Sequence, residues 1–219
     1  MTLAIFDLDN TLLGGDSDHA WGEFLISKGI VDEATYKSAN DTFYEDYKRG
    51  ELDIFAYLEF ALEPLTRFSM EELGRLHREF MRDYVEPMIL PKAKDLISQH
   101  RRRGDYLMII TATNTFVTAP IADALGVDEL LATNPEIINN RYSGRVAGTP
   151  CYQQGKVERL EAWLQEHEET LEESYFYSDS INDLPLLEQV SHPVAVDPCE
   201  RLKKIAEEKS WPIISLRDA

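Results

Sequence analysis

Two carboxylates one residue apart, Asp7 and Asp9, close the apolar run of "LAIFDLDNT", and Thr11 follows two residues later. A carboxylate at such a place can ligate a hard cation, attack an electrophile or carry a proton. A lone Asp-x-Asp is as readily a turn or a helix cap. The weight comes from residues further along the chain: Thr111 in "ITATN", Lys156 in "QGKVERL", and Asp179 and Asp183 in "YSDSINDLPLL". Lys156 opens a helical pattern, where the helix dipole favours anions over cations. A lysine there makes sense beside a bound anion.

These residues need elements to place them. Short apolar runs at Leu3–Leu8, Tyr106–Thr111, Tyr175–Asp179, Pro193–Asp197 and from Pro212 read as strands buried on both faces. Helical patterns from Pro91, Phe116 and Gly155 alternate with them. The alternation predicts an α/β fold, a Rossmann-like parallel sheet with helices on both faces. In such sheets catalytic groups collect at the carboxyl ends of the strands, where Asp7, Thr111 and Asp179 fall. Asp7 and Asp9 share a face if the first strand persists that far. Residues 14–85 break the alternation with four helical patterns and no strand, so residues 1–13 and 86–219 form the core and 14–85 an inserted helical module. "EIINNRYSGRVAG" reads as a hairpin with Asn-Asn at its turn.

Composition narrows the function. The 219 residues carry a formal net charge of −18, which argues against a nucleic-acid binder and against docking on anionic lipid. Cys151 and Cys199 stand in no metal-ligand spacing. No signal peptide and no membrane span are evident, and the expected location is the cytoplasm.

In type, order and strand context, Asp7-Leu8-Asp9-Asn10-Thr11, Thr111, Lys156 and Asp179-Ser180-Ile181-Asn182-Asp183 resemble the four motifs of the haloacid dehalogenase-like hydrolase superfamily, over roughly Ile5 to Asp183. The resemblance implies a Mg²⁺-dependent phosphatase. Asp7 would be the nucleophile, forming an aspartyl-phosphate, and Asp9 the general acid and then the base. Asp7, the backbone carbonyl of Asp9, and Asp179 would hold the metal. Thr111 and Lys156, with Ala112 and Asn114 beside Thr111, would hold the phosphoryl group; Asn114 reads equally as a helix cap. Thr11, Ser180, Asn182 and Asp183 would support the site, the last two by orienting water ligands or Lys156. Residues 14–85 would be an all-helical cap closing over the site, as in the phosphoserine-phosphatase-like branch, whose members with a "GDSDHAW"-type stretch include histidinol-phosphatases.

The substrate is expected to be a small phosphorylated metabolite, with no obligate protein partner. A phosphoserine site calls for arginine against the substrate carboxylate, and Arg49 and Arg67 are the candidates in the insertion. Just past the first motif, however, stand Asp16, Asp18 and Glu23. Asp18 is placed to meet an ammonium group, though Asp16 and Asp18 read equally as helix caps. Histidinol phosphate carries an amine and an imidazole and no carboxylate, so it is the leading expectation. Phosphoserine, other small phosphomonoesters and a phosphomutase reaction stand as alternatives. A dehalogenase has no alcohol to protonate and so no use for Asp9. A non-catalytic phosphometabolite-binding protein has no use for the full set of motifs. Among the histidines only His19 is a site candidate, and the aromatic residues of the insertion read as packing.

Overall fold

A computed structural model describes residues 1–217. The strands are β1 (Leu3–Phe6), β2 (Tyr106–Asn114), β3 (Glu129–Ile138), β4 (Arg141–Ala147), β5 (Tyr175–Ser178), β6 (His192–Val196) and β7 (Ile213–Ile214). They lie in the order β4-β3-β2-β1-β5-β6-β7, parallel throughout except for the β3–β4 hairpin. β1 is central and fully buried, as its unbroken apolar sequence requires.

Side-chain alternation divides the core in two. Leu3 and Ile5 join Met108, Ile110, Phe176 and Ala195 on one face. There they pack against Val157, Leu160 and Trp163 of one helix and Leu202 and Ala206 of another. Ala4 and Phe6 join Leu107, Ile109, Val194 and Val196 on the opposite face, against Ala93, Ile97, Val117 and Ile121. Helices therefore cover both faces, as the alternating pattern predicts. β3 is a strand that the apolar pattern does not predict: its first part, "ELLAT", is short and built of residues that favour helix as readily as strand. The Asn139-Asn140 turn of its hairpin has both residues at positive φ (51° and 59°), the geometry that matches strand twist.

Between β1 and β2 lie α1 (Ser17–Ser27), α2 (Glu33–Arg49), α3 (Ile54–Leu62), α4 (Met70–Phe80), a π-helical turn at Met81–Val85, the single turn α5 (Glu86–Met88) and α6 (Pro91–Arg103). Aspartates 16, 32 and 53 cap the first three helices, and Ser69 with Glu72 forms a capping box on α4. The chain leaves and re-enters the sheet through paired extended segments. Leu13 bridges Ile89, Gly14 N–H donates to Met88 O (2.7 Å), and Leu90 N–H donates to Leu12 O (3.2 Å). Gly15 lies close against this segment: a Cβ there would lie 2.8 Å from Met88 Sδ, so the methionine side chain would have to shift. The remaining helices, α7 (Thr115–Leu125), α8 (Gln154–His167), α9 (Leu184–Leu187) and α10 (Glu200–Glu208), complete the sheet's cover. No helix among the described residues is long and apolar enough to cross a membrane.

Candidate active site

The first motif is a tight turn on the end of β1. Asp7 N–H still donates to Tyr177 O across the sheet (2.9 Å). Leu8 O then accepts the amides of Thr11, Leu12 and Leu13, and Asn10 sits in the left-handed region at φ 58°. The strand thus ends before Asp9, and it is the turn rather than a shared strand face that delivers both carboxylates to one cavity. Asp9 is held at both oxygens. Oδ1 accepts from Ser17 N–H at the start of α1 (2.6 Å), and Oδ2 accepts from Thr113 Oγ1 near the end of β2 (2.9 Å).

Lys156 stands at the start of α8 and is nearly fully buried. Its Nζ lies 2.7 Å from Asp7 Oδ1 and 2.7 Å from Asp183 Oδ1. The helix can begin folded back against the loop that precedes it only because residue 155 is glycine: a Cβ there would lie 2.0 Å from Pro150 O. Thr11 Oγ1 sits 3.3 Å from Asp7 Oδ2 and 3.2 Å from Asp179 Oδ1, and accepts from Asp179 N–H (3.1 Å). One hydroxyl proton serves one of those carboxylates at a time. Ser178 Oγ donates to Asp183 Oδ2 (2.7 Å), and Ser180 caps the turn after Asp179.

Asp7 and Asp183 share the Lys156 ammonium, and Asp9 and Asp179 add two further carboxylates beside Asp7. Asp7 and Asp179, bridged by Thr11, present hard oxygens that one lysine does not balance. This donor set fits a divalent cation with oxygen preference.

The cavity has a volume of about 520 Å³ including its open mouth. Asp7, Asp9, Thr111, Ala112 and Thr113 form its floor. Asp16, Asp18, His19, Asn40, Phe43, Tyr44, Tyr47 and Tyr57 of the insertion form its roof, with Leu52 and Ile54. Among the described residues that line it, none is arginine or lysine. Asp16 caps α1 through His19 N–H (2.8 Å) and also faces the cavity. Asp18 is not the cap; its carboxylate meets the Tyr57 hydroxyl and Asn114 Nδ2 (3.5 Å). His19 Nε2 pairs with Asp41 Oδ1 (2.9 Å) and its ring leans on Tyr44. Lys37 bridges Glu23 and Asp41 at the same rim.

Burial dominates the titration of this pocket. It pushes Asp7, Asp9 and Asp18 up to about 7 and Asp16 up to about 6. At Asp7 the Lys156 ammonium opposes the rise and Asp183 adds to it; at Asp9 the neighbouring Asp16 adds to it. Burial opposes the charge of Lys156, but Asp183 and Asp7 override it and raise its pKa. Because the aspartate values are raised in the fold, the native state holds protons that the unfolded chain releases above its own carboxylate range. The stability these groups contribute is thus highest at acid pH and is lost as pH rises through about 6 to 7. Thermal melts of chelator-treated protein are expected to show Tm falling from pH 5 to pH 8. A rise over that interval would contradict the proposed burden of buried carboxylates.

Of the residues singled out from sequence, Asp7, Asp9, Asp18, Thr111 and Ala112 line the cavity, and Lys156, Thr11, Asp179, Ser180 and Asp183 surround its floor through the contacts above. Asn114 caps α7 through Val117 N–H (3.2 Å), and its Nδ2 faces the Asp18 carboxylate (3.5 Å). Three expectations change. Arg49 is not brought to the cavity: it lies on the surface, taken up by Asp46 and Glu51. Arg67 is likewise bound to Glu63. Asn182 makes no direct contact with Lys156; its amide meets Tyr47 O, the Tyr152 hydroxyl and Gln153. Of the aromatic residues of α2, expected to be packing, Tyr36 does pack on Phe60, while Phe43, Tyr44 and Tyr47 line the roof. Their signal is the spacing of Asn40, Phe43, Tyr44 and Tyr47 along one helix face, which looks like a core stripe until something other than protein is opposite it. Thr113 joins the site through Asp9, a role that nothing in its local sequence indicates.

The sequence model of the haloacid dehalogenase-like hydrolase family matches residues 4–188. A histidinol-phosphatase of Neisseria meningitidis is 48% identical over 98% of this chain and 99% of its own length. A crystal structure of a protein of unknown function from Bordetella pertussis superposes with a TM-score of 0.92 at 45% identity, covering 99% of this chain and 100% of that one. A phosphoserine phosphatase solved as a phospho-aspartyl intermediate analogue superposes with a TM-score of 0.71 at 18% identity, over 99% of this chain and 93% of that one, a likeness of fold.

Proposed function

The chain belongs to the haloacid dehalogenase-like hydrolase family and is a phosphoric monoester hydrolase; from that premise we propose that its substrate is a small phosphomonoester bearing a cationic amine, histidinol phosphate above all. The carrying observation is the roof of the cavity, where Asp16 and Asp18 stand among Phe43, Tyr44, Tyr47 and Tyr57 with no basic side chain among the described lining residues other than the imidazole of His19. An ammonium or imidazolium finds carboxylates and aromatic faces there. A substrate carboxylate finds like charge and no arginine. The 48% identity to a histidinol-phosphatase supports the same reading.

In this reading Asp7 attacks phosphorus, the bond to the substrate oxygen breaks, and Asp9 gives that oxygen its proton. The free alcohol leaves Asp7 phosphorylated. Asp9, now ionised, takes a proton from water as that water attacks phosphorus; phosphate departs and both aspartates return to their starting states. The hydrogen bonds to Asp9 suit this work. Ser17 N–H can only donate, so Oδ1 stays an acceptor, and the mobile proton belongs on Oδ2, where Thr113 can reverse its hydroxyl. Thr111 and Lys156 hold phosphoryl oxygens. Asp7, Asp179 and the backbone carbonyl of Asp9 would hold Mg²⁺, which would supply charge neutralisation for the phosphoryl group. The reaction fits a cytoplasmic enzyme of small-metabolite chemistry, in which Cys151 and Cys199 remain free thiols.

Asp18→Asn tests the reading. A charge-assisted contact is worth roughly 1.5–3 kcal/mol, so kcat/KM for histidinol phosphate is expected to fall about 10- to 100-fold. A nitrophenyl phosphate, which has no amine, changes by only a few-fold. An unchanged ratio of the two kcat/KM values would remove Asp18 from substrate recognition.

A further inference from the structure

The carboxyl end of α2 is held by three separate pieces of the core. Asn182 Nδ2, in the loop between Asp179 and Asp183, donates to Tyr47 O (2.9 Å). Arg201 Nη1, on α10, donates to Arg49 O (2.6 Å). Gln153 Nε2, immediately before α8, points at Gly50 O (3.5 Å) and donates to Asn182 Oδ1 (3.1 Å), which also accepts from the Tyr152 hydroxyl (3.2 Å). The last carbonyls of a helix have no partners within it and carry the negative end of its dipole. Here amide and guanidinium donors from outside the insertion serve Tyr47, Arg49 and Gly50. Gly50 itself closes α2 at φ 73°, and a Cβ there would lie 3.2 Å from Asn182 Oδ1 and 3.4 Å from Arg201 Nη1, so the approach is close.

The donors are not arbitrary pieces of surface. Asn182 sits three residues after Asp179 and one before Asp183. Gln153 sits three before Lys156 and holds a left-handed backbone (φ 47°), a conformation that costs a non-glycine residue energy and that surrounding contacts must maintain. Tyr47 also sends its hydroxyl to Ser180 of the same loop. Asn182 is nearly fully buried by these contacts. Removal of α2 would take from Asn182 Nδ2 its partner Tyr47 O, from Gln153 Nε2 the Gly50 carbonyl and from Ser180 the Tyr47 hydroxyl, leaving only the contacts that Asn182, Gln153 and Tyr152 make with one another.

We propose that the carboxyl end of α2 is the latch of the helical cap, and that Asn182 and Gln153 are positioning residues through which seating the cap also places Asp179, Asp183 and Lys156. Arg201 serves the latch alone. The open cap then leaves the phosphoryl-binding lysine and the metal-binding aspartate loosely placed, and water at an open site meets an incomplete catalytic set. The proposal rests on the hydrolase reading for its consequences in turnover, but the contacts can be tested without it.

The test uses the full chain and three variants, Arg201→Gln, Gln153→Ala and Asn182→Ala. Amide hydrogen exchange over residues 44–52 is measured without ligand and then with Mg²⁺ and inorganic phosphate as the probe. Arg201→Gln is expected to speed exchange at this segment while the amides of β1 and β2 keep wild-type rates, and the probe is expected to slow it. With nitrophenyl phosphate, Arg201→Gln raises KM about threefold to tenfold and leaves kcat within about twofold, because only the seated fraction falls. Gln153→Ala and Asn182→Ala lower kcat as well. Wild-type exchange and wild-type KM in Arg201→Gln would overturn the latch. A lowered kcat in Asn182→Ala with unchanged exchange at 44–52 would overturn the coupling. Should Asn182→Ala lose the fold, β1 and β2 exchange reveals it, and Arg201→Gln and Gln153→Ala carry the test. Absence of turnover on every phosphate ester speaks against the hydrolase reading alone, since the ligand-free exchange difference remains.

Discussion

Asp7→Asn is expected to lower turnover by at least about a thousandfold, because it removes the attacking oxygen itself. The same change is expected to leave metal-free stability at pH 8 no lower than that of the wild type. Asp7 lies 2.7 Å from Lys156, and breaking a buried pair ordinarily destabilises a fold. Here Lys156 keeps Asp183 at 2.7 Å, and the pocket holds more carboxylates than ammonium groups. Burial already pushes Asp7 up to about 7, so its ionised form opposes folding at pH 8. Steady-state assays and thermal melts on one preparation check both halves. Activity above a few per cent of wild type would exclude Asp7 as the nucleophile, and a large drop in Tm would show that the Lys156 pair outweighs the relief of charge.

Asp9→Asn is expected to cost about 10²- to 10⁴-fold on alkyl phosphates and much less on nitrophenyl phosphate. An alkoxide leaves poorly without a proton, whereas a nitrophenolate needs little help. The variant keeps the local geometry: an amide oxygen can still accept from Ser17 N–H, and its NH₂ can face Thr113, whose hydroxyl can accept. A loss can therefore be assigned to the missing proton rather than to a displaced side chain. The two leaving groups are compared in kcat/KM. Equal losses on both would contradict the assignment of Asp9 as general acid.

The parts of this site that lie on regular elements were legible in the sequence. β1, β2 and β5 open as apolar runs; Asp7 and Asp179 follow the ends of β1 and β5, while β2 runs on past Thr111 to Asn114 and holds Thr111 within its last part. Lys156 was visible as a cation where a helix dipole disfavours one. What sequence did not show is long-range and side-chain specific. Asn182 stands inside a motif, yet its partner is Tyr47, 135 residues away, and no local rule connects them. Arg49 had the right chemistry for a substrate carboxylate, but Asp46, three residues earlier on the helix, and Glu51 claim it on the surface. The roof aromatics share the helical spacing of a core stripe, and only the fold shows that a cavity faces them. Asp18 is ambiguous between cap and pocket until the fold shows Asp16 supplying the cap.

Substrate preference tests the central claim most directly: kcat/KM for histidinol phosphate and for phosphoserine, measured side by side with Mg²⁺ and again with EDTA. A roof with Asp16 and Asp18, and no arginine or lysine among its described lining residues, should favour the amine-bearing ester without a carboxylate. Ionic attraction to the amine of one ester and repulsion of the carboxylate of the other predict a preference of at least about tenfold for histidinol phosphate, with both activities lost in EDTA. Equal or better turnover of phosphoserine would contradict a pocket built to read a cation.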